Sequence, residues 1–399
     1  MPRNLFERFA FLTLWLFVAT IPVEKTLEMP GIGTVSRVAG AVAMAAGAMA
    51  VLITGRLRHP ALSLVAAALF AVWSIMSRLW TLNLDETQER TATYLPLLVL
   101  AVFLWQFCRT TRQIRQLAIA YACGMMYSVG DTVYRWMTRA SQIYYQRFAN
   151  EGFDPNDLAL TLAIGIPFLY WLSLTAETRK AAWMWRAAIG LAAFNIFLTA
   201  SRGGAMALAA ALVIVPLTLR LLEKRDRTLI AVGAIAAGMA VAYAVPAASW
   251  ARLATLGKEA KEGTLNSRTL IWATGLQAFS ASPVLGVGSG AFPESVRATM
   301  GRPREWTPVA HNTFLSILVE TGLAGFAIFM ALAAAMIWSA FRLPWLERRL
   351  WLVVLAVWTI GVSALTWEHR KPTWLLFALL PTHAAAIVAV PKRNKDLFA

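Results

Sequence analysis

The chain has 399 residues, of which 58% are hydrophobic and 15% charged, with a formal charge of +16 and a mean hydropathy of +0.58. Soluble domains carry about 25% charge and roughly 45–50% apolar residues, so the composition excludes an ordinary soluble enzyme, a disordered chain, a disulfide scaffold and a solenoid of soluble repeats. It predicts an all-α polytopic membrane protein, one integral membrane domain over 1–399, to be read by counting spans and locating the polar residues they carry.

Twelve apolar runs are long enough to cross a bilayer, at roughly 9–23, 36–54, 60–77, 91–108, 117–134, 158–174, 181–199, 204–222, 228–248, 311–341, 347–367 and 372–391. The first lacks a small-residue cleavage site and reads as a retained helix. With the N-terminus in the cytoplasm, 20 of the 37 basic residues fall in cytoplasmic segments, and seven of the others lie in one long outer loop, which the charge rule discounts. The basic excess is therefore a topology signal with both termini inside, and no nucleic-acid partner is expected. Cys108 and Cys123 both sit in apolar runs, which argues against a stabilising disulfide.

Many of the 17 Trp residues, among them Trp80, Trp105, Trp136, Trp185, Trp250, Trp345, Trp351 and Trp374, stand near span ends, where aromatic belts form. Small residues in span two (Gly40, Ala41, Ala43, Ala45, Ala46, Gly47, Ala48) permit close helix packing or a lipid groove; packing is the preferred reading.

The loop at about 249–310, between spans nine and ten, is unusually long. It reads as a cap on the spans or as a lid within the domain. It holds a helical stretch at 266–280 with an apolar stripe of Leu270, Trp272, Leu276 and Phe279, then Ser282-Pro283, a turn with Gly286, Gly288 and Gly290, and a basic tail.

Three outer-face helix starts are polar: Asp154-Pro155-Asn156-Asp157, Ser201-Arg202-Gly203-Gly204 and His311-Asn312-Thr313. The positive end of a helix dipole with unpaired N–H groups suits an anion, above all phosphate. Arg202 lies between two helices with almost no loop, followed by two glycines that let a ligand approach the backbone. A guanidinium there grips phosphate bidentately; the plainer reading is an arginine snorkelling to the interface. His311 sits at such a start, which disfavours imidazolium and keeps a neutral base; it could equally cap or pack. Arg268 and Arg147 read either as anion ligands or as exposed loop arginines. Glu320, deep in span ten, lies on a different helix face from His311 and reads as a structural hydrogen-bonding group; Asp131 stays open. There is no Cys/His metal spacing, P-loop or dinucleotide fingerprint, so no metal or cofactor is expected and the chemistry must come from an activated substrate.

The stretches HNTFLSILVETGLAGF (311–326) and NSRTLIWATGLQAFSASPVLGVGSGAF (266–292), with SRGG at 201–204 and DPNDLAL at 154–160, resemble the signature region of the O-antigen ligase and polymerase superfamily. The resemblance covers most of 150–330. It implies a GT-C-like membrane glycosyltransferase of about 12 transmembrane helices with a long periplasmic loop between helices 9 and 10, in the inner membrane of a Gram-negative bacterium. It implies a glycan donor on undecaprenyl pyrophosphate and a periplasmic active site. In that site His311 would be the catalytic histidine, Arg202 and Arg268 the pyrophosphate ligands, and Arg147 a weaker match. Ser201, Gly203, Asn156 and Asn312, beside these groups, are the remaining substrate-binding candidates.

The expected activity is that of an O-antigen ligase, transferring the glycan to lipid A–core without metal and with inversion. The length suits a ligase, and no added C-terminal region of the protein-glycosylating kind is evident. The alternatives are an O-antigen polymerase or O-oligosaccharyltransferase using the same donor, and, in another class, a secondary transporter or flippase. Transporters place broken spans and paired charges at the midplane, whereas the charges here are expected at the outer face.

Overall fold

Apolar runs set off by capping residues give the chain its helices. The computed structural model describes residues 2–24, 26, 28–29, 31, 33–140, 147–254, 268–303 and 305–388. The first seven helices are α1 (Pro2–Thr20), α2 (Val35–Thr54), α3 (Leu62–Met76), α4 (Leu84–Phe107), α5 (Thr111–Met137), α6 (Pro155–Leu174) and α7 (Arg179–Leu198). Next come α8 (Arg202–Leu212), its continuation α9 (Ile214–Thr218), α10 (Lys224–Ala244) and the short α11 (Ala247–Ala254). The chain ends with α12 (Arg268–Ala281), α13 (Phe292–Met300), α14 (Thr313–Phe341), α15 (Trp345–Val362) and α16 (Lys371–Val388). Among the described residues a two-residue ladder, Glu28–Met29 with Gly33–Thr34, is the only strand pairing.

Nine helical stretches among these residues are long and apolar enough to cross a membrane. The molecule is a multi-pass, all-helical membrane protein. A count of twelve spans requires adding α5, α15 and α16, which occupy the fifth, eleventh and twelfth apolar runs but fall outside the nine.

Side-chain oxygens cap the starts of α2, α4, α5, α6, α7, α8 and α14, from Thr34, Asn83, Thr110, Asp154, Thr178, Ser201 and Asn312. Each such cap is worth about 1 kcal/mol.

The centre of the bundle is α6, buried continuously from Leu158 to Ser173 and packed by α5, α7, α8 and α15. Lipid tails supply no hydrophobic drive between spans, so close backbone approach must hold them. A Cβ on Gly204 would stand 2.4 Å from that of Ala159, and one on Gly361 would stand 2.2 Å from the Leu160 side chain. These glycines seat α8 and α15 on the start of α6. On α2, Gly40, Ala43, Ala46 and Gly47 are buried, and Gly47 faces the Phe103 ring, while Ala41, Ala45 and Ala48 point away from the bundle. Close packing thus accounts for four of the seven residues of that stripe.

Three expectations are corrected. Trp105, Trp351 and Trp374 do not stand in an interfacial belt: they are 7%, 0% and 2% exposed. Their indole N–H groups donate to His59 O, His383 Nδ1 and Glu368 O, a satisfied donor being what lets an indole enter a core. On α12 only half of the stripe of large residues packs: Phe279 lies against the core and Trp272 is partly buried. Gly275 and Ala278 are buried, with Gly275 against the Phe292 ring, whereas Leu270 and Leu276 are about half exposed.

The third correction concerns α14, which is broken at Gly322 (φ 66°, ψ −173°). The glycine turn fills the break: Val287 and Gly288 N–H donate to the carbonyls of Val319 and Glu320, and Leu323 and Ala324 N–H donate to those of Pro283 and Val284. This part of the long loop is a wedge bonded into a helix. Residues 255–267 of the loop, Asn266 and Ser267 among them, lie outside the described residues.

Candidate functional site

The starts of α6 and α8 and the end of α15 meet at one end of the bundle. Around them is a cleft of about 60 Å³ lined by Asn156, Ser201, Arg202, Gly203, Arg252 and Arg268, with Gly361, Ala364 and Leu365 on the α15 side. Of the residues expected from sequence, five therefore share one cleft: Arg202, Arg268, Asn156, Ser201 and Gly203.

Hydrogen bonds hold the polar side chains around the cleft in place. Asn156 Oδ1 accepts from Arg147 Nη2 at 2.9 Å and from Ser201 Oγ at 2.9 Å. Arg147 Nε donates to the Thr199 carbonyl at 2.9 Å. Arg147 is thus half-buried and pinned between the loop before α8 and the start of α6, not an exposed loop arginine. Its side chain is held down to about 10 by burial and by the neighbouring charges of Arg252 and Arg202, against the pull of Asp154. Ser201 also caps α8, accepting from Gly204 N–H at 3.1 Å. Both glycines after Arg202 line the cleft, and Gly204 also serves helix packing against Ala159.

Arg252 was not singled out by sequence. It projects from α11 into the same cleft, and its Nε donates to Ala200 O at 3.2 Å. Only the position of a short helix after α10 brings it there, and no motif marks it.

His311 is adjacent to this cleft rather than in its lining. It is half-buried, one residue before Asn312, whose side chain caps α14 by accepting from Leu315 N–H at 3.1 Å. The two caps are built alike: Ala200 and His311 each adopt a left-handed backbone (φ 47° and 45°) directly before the capping residue. That conformation is strained for a side chain with a Cβ, costing about 1–3 kcal/mol each, and such strain gathers at functional sites.

Two bonds tie the His311 turn to the cleft walls. Trp272 Nε1 on α12 donates to Ala310 O at 2.7 Å, and Thr313 Oγ1 donates to Leu365 O at 2.8 Å. Arg268, at the start of α12, reaches the Ala364 carbonyl at 3.4 Å.

The His311 imidazole is held below its ordinary range, first by burial and then by the charge of Arg268; Asp154 and Asp157 pull the other way. The neutral form follows, though burial and an arginine cause it rather than the helix dipole alone. Asp157 in turn accepts from Trp367 Nε1 at 2.9 Å and faces Arg370 at 3.4 Å.

A second polar cluster lies apart from the cleft. Arg90 on α4 bonds to the buried Glu368 carboxylate and lies 3.0 Å from His369 Nδ1. Glu320 accepts from Gly290 N–H at 2.7 Å and from Ser316 Oγ at 3.0 Å, the structural role expected of it. Asp131 pairs with Arg135 and accepts from Glu151 N–H.

What this arrangement can do chemically is bind a doubly charged oxyanion between guanidiniums at a helix start, with a neutral imidazole alongside. Residues 187–330 match the family model described as O-antigen ligase. The chain is also 31% identical over 183 residues to the exopolysaccharide production protein ExoQ of Rhizobium meliloti (strain 1021), an alignment covering 43% of this chain. It spans 41% of the length of that relative. Arg202, Arg268 and His311 all fall within the residues matched by that family model.

Proposed function

We propose that the protein is a glycosyltransferase that moves a glycan from undecaprenyl pyrophosphate to the lipid A–core oligosaccharide at the periplasmic face of an inner membrane, on a GT-C-like bundle of twelve spans. The observation that carries this reading is the meeting of Arg202 and Arg268 in one cleft, with Arg268 close enough to His311 to bias its protonation.

Pyrophosphate is already a good leaving group, so the site must neutralise charge and activate the acceptor. As the anomeric C–O bond breaks, negative charge grows on the leaving phosphate. Arg202, Arg268 and the N–H groups at the start of α8 are placed to stabilise it. His311 takes the proton of the acceptor hydroxyl as its oxygen bonds to the anomeric carbon, a contribution of about 10²–10⁴-fold. Attack opposite the leaving group inverts that centre, and undecaprenyl pyrophosphate departs. Asn156, Ser201 and Gly203 shape the phosphate pocket; Arg147 and Asn312 position its walls.

The test is a reaction of purified protein with a lipid-pyrophosphate-linked glycan and lipid A–core in EDTA. Wild type should transfer the glycan, and His311→Ala should lose at least a hundredfold in rate while keeping its helical circular dichroism. A variant within tenfold of wild type would remove the base role.

Two observations favour other readings. The matched relative is an exopolysaccharide production protein, which favours a polymerase whose acceptor is a second lipid-linked glycan; offering both acceptors in the same assay separates the two. A broken span and a buried Arg90–Glu368 pair are features that transporters use at their binding sites. Glycan transfer in detergent, with no membrane and no gradient, excludes transport as the primary activity.

A further inference from the structure

At the end of the bundle opposite the cleft, two guanidiniums stack on one indole. The Cζ of Arg220 stands 3.8 Å from the centroid of Trp345, and that of Arg349 stands 3.6 Å from the same point. At those distances both must lie near the ring normal, and two such groups on one face would collide. They therefore sandwich the ring. Arg220 follows Arg202 by 18 residues along the same span, about 27 Å at helical rise, so this cluster is separate from the cleft.

Like charges are not normally gathered without a counterion. Arg348 is next in the chain to Arg349 and is held by its bonds to Leu343 O. Among the described residues no carboxylate is ion-paired with Arg220, Arg342, Arg348 or Arg349. Arg349 Nη1 is covered yet makes no hydrogen bond. Contact with the ring restrains both guanidiniums without neutralising them.

The surroundings identify the anion. Leu217, Leu219 and Leu221 flank Arg220 in sequence, and Trp338 and Phe341 lie just before the turn that leads to Trp345; all five are 39% to 66% exposed. An oxyanion held by these arginines would stand directly above apolar surface open to the bilayer.

We propose that Arg220, Trp345 and Arg349 form a binding site for the phosphate of an anionic phospholipid, whose acyl chains lie along the exposed ends of α9 and α14. The site is independent of the transfer reaction, because it lies at the other membrane face and uses none of the cleft residues.

Native mass spectrometry of detergent-purified protein tests it. The probes are phosphatidylglycerol and phosphatidylcholine of identical acyl chains, and glycerol 3-phosphate as the soluble headgroup. Wild type should retain phosphatidylglycerol about tenfold better than phosphatidylcholine, and glycerol 3-phosphate in equal amount should not displace it. The double variant R220Q/R349Q should bring the preference to within twofold. R220K/R349K should keep part of it, and Arg112→Gln, an exposed arginine elsewhere at that end, should keep all of it. Equal retention of the two lipids by wild type overturns the site with no variant needed. Displacement by glycerol 3-phosphate would make it a soluble-anion site and overturn the lipid assignment. An unchanged preference in R220Q/R349Q would also overturn it.

Discussion

At the residue scale the functional question is the proton on His311. Its neutral form is favoured by burial and by the Arg268 charge, while Asp154 and Asp157 favour the imidazolium. If neutral His311 is the base, the rate falls as pH drops through its pKa. That acid limb should lie below the ordinary histidine value of about 6.5. Asp154→Asn keeps an oxygen able to cap α6, where Asp154 now accepts from the N–H groups of Asn156 and Asp157, but removes a negative charge. The acid limb of kcat/KM should move to still lower pH; an upward move would show that another group titrates. Arg252 gives a second prediction. A charge-assisted hydrogen bond contributes about 1.5–3 kcal/mol, so Arg252→Gln should lower kcat/KM for the pyrophosphate donor by about 10–100-fold with helix content unchanged. Loss of less than twofold would leave Arg252 as a wall residue only. The contrast between Arg202 and Arg252 also marks what sequence can show. Arg202 was legible because Ser, Gly and Gly flank it at a helix start. Arg252 was not, because its place in the cleft depends on how α11 packs.

At the element scale, hydropathy located the helices but not their interruptions. The run from 311 to 341 is apolar but for its polar start and Glu320, and its two glycines, Gly322 and Gly325, carry no signal of which one breaks the helix. Gly322 is nevertheless in a backbone region essentially closed to other residues, and a Cβ there would stand 2.2 Å from the Val284 carbonyl oxygen. Gly322→Ala should therefore cost about 3 kcal/mol or more, read as a large drop in thermal unfolding temperature. Gly301 is the control: it ends α13 with φ 60° and has nothing within 4 Å of a Cβ, so Gly301→Ala should cost only about 1 kcal/mol. Equal effects would mean that the wedge of residues 283–290 adds little to the fold. The same reasoning explains the two misread patterns. Large residues were expected to face inward on α12 and tryptophans outward on α15 and α16. Close packing instead buried Gly275 and Ala278 and left Leu270 and Leu276 of the stripe exposed, and buried acceptors drew in the indoles of Trp351 and Trp374. Neither preference is a matter of hydrophobicity, so hydropathy does not encode it.

At the scale of the whole molecule, two arginine-rich regions lie at opposite ends of the bundle, and one of them has a cleft at helix starts. Charge asymmetry between loops predicts which end faces which compartment. The N-terminus, the α6–α7 turn and the Arg220–Arg349 end share the side richer in basic residues, and the cleft occupies the other. If the cleft serves a lipid-linked glycan outside the cytoplasm, this orientation is obligatory, because the bonds at the starts of α6, α8 and α14 fix the cleft to one end. Cysteine labelling in intact cells tests it directly. Glu177 lies in the α6–α7 turn with its side chain 88% exposed, and Arg302 is exposed just beyond α13. With Cys123 replaced by Ser and the buried Cys108 retained, a membrane-impermeant maleimide should label Arg302→Cys in whole cells. It should label Glu177→Cys only after the membrane is permeabilised. The opposite pattern would turn the cleft toward the cytoplasm and end the case for periplasmic transfer, whatever the residues within it can do.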